Sequence, residues 1–172
     1  MNRFHWLTGV AAILVASPVM AHDGPSDAQI AHIAYTAGVI DIDAAKQALA
    51  KTHNPAVRAF AQEMVRDHQA VNVQALALVK KLNVTPQDND TSKALAAAAK
   101  ATHARLASLN GAAFDRAYAA NEVAYHKTVN GALKSTLIPS ADNGELKSLL
   151  STGLTLFGEH QMHAEHLAAR LK

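Results

Sequence analysis

The segment from residue 54 to residue 82 constrains the fold more than any other part of the 172-residue chain. It opens with Asn54 and Pro55, a capping residue followed by a proline at the first helical position, where the missing N–H costs nothing. Apolar residues then recur at steps of three and four, at Val57, Ala61, Met64, Val71, Ala75, Leu78 and Leu82. This spacing predicts a long amphipathic helix with one buried stripe.

A histidine interrupts that stripe near the middle of the predicted helix. His68 stands where the spacing calls for a leucine, and Asp67 precedes it. Three other helix-like segments also carry an ionisable residue near mid-length on the inner stripe: Asp41, then Glu122 with His126, and His160. In a bundle of helices of similar length, these side chains should meet in one layer.

The rest of the chain also shows helical periodicity, and no segment has a convincing strand pattern. One predicted helix runs from Ser26 or Asp27 to about Thr52, and a shorter one runs from Asp90 or Thr91 to about Leu109. The next helix ends at about Leu137, before an interruption at Ile138–Pro139–Ser140. The last helix has a capping-box-like start at Asp142 and Glu145 and runs to about Leu171. The loop at 83–90 precedes the shortest helix. We therefore predict an all-α, ferritin-like four-helix bundle, with the short extra helix in the crossover between long helices 2 and 3. A plain up-down-up-down bundle with an added helix is the alternative.

The N-terminus is typical of a secretory signal peptide. One Arg precedes an apolar run from Trp6 to Ala16, and a Val-Met-Ala ending predicts cleavage after Ala21. An uncleaved N-terminal anchor is the alternative. The predicted organisation is therefore a signal peptide at 1–21, a bundle domain at 22–172, and a periplasmic or secreted protein. We expect no membrane-spanning segment after cleavage. A mature chain beginning at His22 would offer a local copper site, with Asp23 or His32 nearby.

Composition and charge exclude several classes of function. The absence of cysteine excludes disulfides, thiolate metal sites and a cysteine nucleophile. Without Arg3, which lies in the predicted leader, 15 basic residues face 14 acidic ones, and this balance argues against nucleic acid as the main partner. No Ser/His/Asp arrangement, phosphate-binding glycine loop or HExxH motif supports an enzyme, which is the least favoured class.

The inner-face residues predict a site for a divalent transition metal. Asp115, Glu122 and His126 fall within about 40° of one another on one helix face, and His163 lies about 60° to the side of His160. Imidazoles and carboxylates from several helices are the donors that Zn, Cu, Fe or Mn use. The predicted ligand positions are Asp41, His68, Asp115, Glu122, His126, His160 and His163. Asp67 could orient a ligand imidazole from behind. The alternative is a buried His–carboxylate network that fixes helix register without metal, in an envelope stress or interaction protein.

Three segments carry a resemblance to a known bacterial family. They are NPAVRAFAQEMVRDH at 54–68, LNGAAFDRAYAANEVAYH at 109–126 and LFGEHQMHAEHL at 156–167. The chain resembles the domain of unknown function 4142, a ferritin-like family of exported bacterial proteins often labelled as outer-membrane proteins. The resemblance implies positions of interest at Asp41, His68, Asp115, His126 and His160, with Asp41 where the family usually has Glu.

The sequence departs from ferritins in one respect. Ferritins and their di-iron relatives use Glu-x-x-His on two helices, whereas Val65 stands three residues before His68 and Phe157 three before His160. This departure argues against ferritin-like oxidation and storage of iron. The outer-membrane label fits only a peripheral envelope association, since a helical bundle does not form a barrel. A homo-oligomer is also compatible with the sequence.

Overall fold

The computed structural model describes residues 24–171, and these residues form helices joined by short loops. The five main helices are α1 (Asp27–Lys51), α2 (Pro55–Lys81), α3 (Asp90–Ala107), α4 (Gly111–Ala132) and α5 (Gly144–Arg170). No strand occurs in the described part of the chain, so the prediction of an all-α protein is confirmed. The predicted signal peptide and the copper site at His22 lie outside these residues.

Side-chain caps fix the starts of the long helices. Ser26 and Gln29 form a capping box at the start of α1. Asn54 accepts hydrogen bonds from two main-chain N–H groups of α2, and Pro55 follows it as predicted. The start of α5 differs from the prediction by one residue, because Asn143 rather than Asp142 caps the helix. The Oδ1 of Asn143 accepts hydrogen bonds from the main-chain N–H groups of Glu145 and Leu146.

The end of α4 also differs from the prediction. The expected interruption at 138–140 is instead a continuation: a π-helical segment, Leu133–Leu137, leads into one more turn, Ile138–Ser140. Pro139 lies in the first turn after the π-helical segment, where a proline ring and its missing N–H are tolerated. The proline therefore follows a change of helix type rather than ending the helix.

The four long helices pack in the cyclic order α1, α2, α5, α4. α1 is antiparallel to α4, because Thr52 bonds to Asp115 while Tyr125 bonds to the main chain of Ala37. α1 is likewise antiparallel to α2, since Asp41 contacts His68 across a three-residue turn. Consequently α2 and α4 run in the same direction, and the chain must cross the length of the bundle between them.

α3 makes this crossover and runs alongside α1 in the same direction. The Gln47 side chain donates to the main-chain oxygen of His103, and one turn later Lys51 donates to that of Ala107. The helix is 18 residues long, about 27 Å, which is enough to return the chain to the start of α4. None of the helices that the structure describes is long and apolar enough to cross a membrane.

Two apolar clusters fill the bundle, one at each end. The closed half lies where α1 joins α2 and is built from Ala44, Ala45, Ala48, Val57, Phe60, Ala61, Met64, Leu106, Phe114, Tyr118, Ala119, Ala164 and Leu167. The open half lies at the other end and is built from Ile30, Ile33, Leu133, Leu137, Ala141, Leu146, Leu150 and Phe157. Ionisable side chains occupy the layer between them.

Candidate metal centre

Five ionisable side chains meet between the closed half and the open half. Each has at most 3% of its surface exposed, and together they come from all four long helices: Asp41, His68, Glu122, His126 and His160. All five are sequence-predicted positions, and they meet because each lies near the middle of its helix. Burial of so many ionisable groups is costly unless partners or a bound ion compensate for the lost water.

The three imidazoles form a triangle. Their ring centroids are 5.7 Å apart for His68 and His126, 5.4 Å for His68 and His160, and 5.5 Å for His126 and His160. One ring nitrogen from each can be chosen so that all three lie within 4.8 Å of one another. Three nitrogen donors at this spacing from three different helices are suitable for one transition-metal ion.

Hydrogen bonds fix the tautomers of two of these rings. The Nδ1 of His126 lies 3.0 Å from the main-chain oxygen of Glu122 and must carry a proton to donate to it. The Nε2 of His160 lies 3.1 Å from Oδ2 of Asp67 and donates in the same way. The other nitrogen of each neutral ring therefore holds a lone pair, and neither atom has a hydrogen-bond partner among the described residues. This is the arrangement that orients a metal-ligating imidazole.

His68 has no hydrogen bond at either ring nitrogen within the described part of the chain. Its ring stacks on Phe157, with centroids 4.6 Å apart and planes inclined by 10°. Its Nε2 lies 3.5 Å from Oδ2 of Asp41. The aromatic stack holds the plane of the ring, while the nitrogen atoms stay free to bind.

Asp41 supplies a fourth donor at a matching distance. Its Oδ2 lies 3.5 Å from Nε2 of His68 and also 3.5 Å from Nε2 of His126. Tetrahedral zinc with bonds of about 2.0–2.1 Å places neighbouring ligand atoms about 3.3–3.4 Å apart. The two separations are therefore close to two of the six edges of such a tetrahedron, and the Glu122 carboxyl is the hydrogen-bond neighbour of Asp41.

Burial keeps the three imidazoles neutral. It lowers the pKa of His68 to about 3 and that of His126 to about 4. It also lowers the pKa of His160, although the hydrogen bond to Asp67 partly opposes the effect of burial. Neutral imidazole is the form that binds a metal, so these three rings are competent ligands at neutral pH.

Burial raises the pKa of the two buried carboxyl groups, whereas it lowers the pKa of the imidazoles. Burial raises the pKa of Asp41 to about 7. Burial and the nearby charge of Asp41 raise the pKa of Glu122 well above its usual range. At neutral pH Glu122 therefore stays protonated, whereas Asp41 is close to half ionised and is the carboxylate that a cation would recruit.

Two of the predicted positions do not join the layer. Asp115 lies seven residues before Glu122, about 10 Å along α4, and its Oδ1 accepts a hydrogen bond from the Thr52 hydroxyl at 2.6 Å. His163 lies at the surface with 47% of its side chain exposed, and its Nδ1 is 2.7 Å from Oε2 of Glu63. Asp115 lies too far along the axis of α4 to reach the buried layer, and His163 lies on a face of α5 that is turned away from it.

The sequence did not indicate two contacts that shape the site. Asp67 was expected to assist a ligand, but only the packing of α2 against α5 pairs it with His160 rather than with another imidazole. The Phe157 stack on His68 has no signal beyond the spacing of three between Phe157 and His160 on α5. The Tyr125 hydroxyl donates to the main-chain oxygen of Ala37 at 2.8 Å and so links α4 to α1 beside the layer.

Comparison with known proteins identifies a family but no characterised relative. No curated protein and no solved structure matches the chain. The family described as "Domain of unknown function (DUF4142)" matches residues 15–167. These residues include α1–α4 and nearly all of α5, with every member of the buried layer. The chain therefore belongs to the DUF4142 family.

Proposed function

We propose that this protein binds one divalent transition-metal ion between its two halves, with His68, His126, His160 and Asp41 as ligands. The observation that carries the proposal is the convergence of three buried, neutral imidazoles with ring nitrogens within 4.8 Å of one another, each ring having a nitrogen without a hydrogen-bond partner in the described structure. Glu122 lies beside Asp41 as a protonated neighbour. Asp67 holds His160 from the outer side of the layer.

The alternative function, a metal-free structural network, accounts less well for the hydrogen bonding. Such a network stabilises a fold when its buried members satisfy one another, because each unpaired group otherwise loses its interaction with water. Here both nitrogens of His68 are without a hydrogen-bond partner among the described residues, while Asp41 pairs with the neighbouring Glu122 carboxyl. A bound cation would satisfy one nitrogen of His68 and one oxygen of Asp41 together.

Zinc is the ion that the donor set favours. Three imidazoles and one carboxylate are borderline donors that suit Zn²⁺ and Cu²⁺ better than Mn²⁺ or Mg²⁺, and the two Asp41 separations of 3.5 Å are compatible with the tetrahedral geometry of zinc. Four protein ligands would close the coordination sphere of zinc. This favours holding or sequestering the metal over catalysis, which needs an open position.

We also propose that the protein is exported and works in the periplasm or outside the cell. The support is the leader-like pattern at residues 1–21, with its single Arg, apolar run and small-residue ending. Sequencing of the N-terminus of the protein isolated from its native cell envelope tests this proposal. A chain beginning at His22 is expected, and an intact Met1 in the cytoplasmic fraction would contradict it.

Elemental analysis of untagged protein tests the metal site most directly. The wild type, His126→Ala and His163→Ala should be purified side by side, since both variants remove one imidazole but only His126 belongs to the layer. We expect about one equivalent of zinc in the wild type and in His163→Ala. The His126→Ala variant should bind zinc at least a hundredfold more weakly by competitive titration.

Circular dichroism of all three proteins checks that the helices remain intact. Wild-type protein that is fully helical but binds neither Zn²⁺ nor Cu²⁺ at micromolar concentration would overturn the proposal. Equal affinity in wild type and His126→Ala would overturn the assigned ligands.

A further inference from the structure

A large apolar cavity lies in the open half and ends at the metal layer. Its volume is about 620 Å³, within the range of small-molecule binding sites. All four long helices contribute to its walls, and its inner end is formed by His68, His126 and Phe157. Its lining follows α2 from His68 to Val79, about 16 Å of helix, and its polar rim includes Gln29 and Asn89.

Small residues create this space. Eight positions that line the cavity carry only a methyl group or a hydrogen: Gly24, Ala31, Ala34, Ala37, Gly38, Ala75, Ala132 and Gly153. The corresponding volume of the closed half is filled by fully buried Phe60, Phe114 and Tyr118. Protein interiors normally pack to the density of an organic crystal, so a partly open space of this size between four helices marks a place where a small molecule can bind.

The π-helical segment of α4 borders the same cavity. Leu133, Thr136 and Leu137 belong both to that segment and to the cavity lining. π-helical turns interrupt an otherwise regular helix and often occur at functional sites. The irregular part of α4 is therefore located at the cavity and away from the closed half.

His68 gives the inner end of the cavity a hydrogen-bond donor. A neutral imidazole carries one N–H, and neither nitrogen of this 3% exposed ring has an acceptor in the described structure. When Nε2 binds the proposed metal ion beside Asp41, the one proton of the neutral ring is on Nδ1. Burial of an unpaired donor is costly, so the occupant of the cavity should bring an acceptor to this end.

We propose that the open half binds a single-chain amphiphile of the medium-chain fatty-acid class. Its carboxyl group accepts the hydrogen bond from His68, and its alkyl chain extends between the aliphatic walls toward Val79. The length of the lining, its aliphatic character and the unpaired donor together select a linear molecule with one polar end. This goes beyond metal binding and rests on it in one respect, because the Nδ1–H of His68 is the donor when the metal holds Nε2.

Titration with dodecanoate below its micelle concentration tests the proposal. Isothermal calorimetry should be run on the protein as isolated from cells and again after chelation, with zinc binding measured on the same samples. Ala132→Phe fills the cavity from α4, and Ala120→Phe places the same ring on the exposed surface of α4, outside the cavity. Ala75→Phe fills the cavity from α2 and serves if Ala132→Phe does not fold.

We expect one dodecanoate per chain, at least tenfold weaker binding in either cavity-filling variant, and unchanged binding in Ala120→Phe. His68→Leu should bind about tenfold more weakly, because it keeps the volume and loses the donor. No saturable binding to the wild type, or equal binding in a folded cavity-filling variant, overturns the proposal. Equal binding in His68→Leu overturns the assigned orientation. Wild-type protein that binds dodecanoate but fails to bind zinc contradicts the metal site and not the cavity site.

Discussion

The two halves of this bundle have the same four helices but opposite packing. The closed half is filled by large side chains with no exposed surface, among them Phe60, Met64, Phe114 and Tyr118. The open half is lined by alanine, glycine and aliphatic residues and contains a partly open cavity of about 620 Å³. Helical periodicity therefore buries a stripe of residues in both halves, and the sizes of those residues determine whether the interior is filled or hollow.

The buried layer benefits from lying between these two environments. The closed half holds the helices in register on one side, which keeps the ring nitrogens within a few ångströms of one another. The cavity of the open half reaches the same layer, because His68 and His126 form part of its lining. A site between rigid and hollow packing is held in place and also reachable, and neither half alone provides both properties.

The largest expected difference between the halves is in the cost of removing a leucine side chain from α5. Leu167→Ala opens a new void in the closed half and should cost about 3–4 kcal/mol of unfolding free energy. Leu150→Ala only enlarges an existing cavity, so it should cost about 2–3 kcal/mol. Urea unfolding of both variants measures the difference. An equal cost, or a larger cost for Leu150→Ala, would show that the open half is packed as well as the closed half.

The second prediction concerns how the layer is held from outside. Asp67→Ala removes the acceptor of the His160 Nε2–H, so the ring loses its fixed tautomer and orientation. We expect zinc affinity to fall about 10–100-fold, as for other residues behind a metal ligand. Asp43→Ala, at an exposed carboxylate of α1, is the matched control and should bind normally. Unchanged affinity in Asp67→Ala would mean that packing alone orients His160.

The third prediction is a pH dependence of zinc affinity that originates mainly in Asp41. Below about pH 7 the buried Asp41 is protonated in the metal-free protein, so zinc must displace one proton. Affinity should therefore fall about tenfold per pH unit between pH 7 and 5. His68 and His126, with pKa values of about 3 and 4, stay neutral across that range and add nothing.

Competitive zinc titration at several pH values measures this slope, and Asp41→Asn should bind more weakly with little pH dependence. A slope of three protons would indicate that the imidazoles are protonated in the metal-free protein. A flat profile in the wild type would contradict the raised pKa of Asp41.

The smallest predicted effects come from a matched pair of glycines beside the cavity. A Cβ at Gly153 would make ordinary contact with the Phe157 ring at 3.4 Å, so Gly153→Ala should stabilise α5 by about 0.5–1 kcal/mol. A Cβ at Gly38 would clash with the Asn72 amide, so Gly38→Ala should lower stability instead. Thermal unfolding of the two variants measures both signs. Stabilisation by Gly38→Ala would indicate that α1 and α2 are free to separate.

Much of the architecture could be predicted because it depends on local rules. Asn54 with Pro55 fixes the start of α2, and the stripe containing His68 fixes which face is buried. The mid-helix positions of Asp41, His126 and His160 were enough to predict that they would share a layer. Helix starts and periodicity require only neighbouring residues, so the sequence determines them with little help from packing.

Rotation and axial position were harder to predict, because both depend on the neighbouring helix. His163 and Asp115 carry suitable donors at plausible spacings, yet one lies at the surface with Glu63 and the other bonds to Thr52. A shift of one residue on a helix turns a side chain by about 100°, and a shift of seven moves it by about 10 Å. Pattern alone does not resolve such shifts between two helices.

Local sequence patterns were sufficient to predict an all-α chain, the starts of α1 and α2 and the inner-face placement of Asp41, His68, His126 and His160. Three features depend on how the helices pack against one another: Asp67 bonds to His160, Phe157 stacks on His68, and one half of the bundle is hollow. The physical reason is that alanine and glycine suit both close helix contact and a cavity. Only the distance between the packed helices distinguishes these two outcomes.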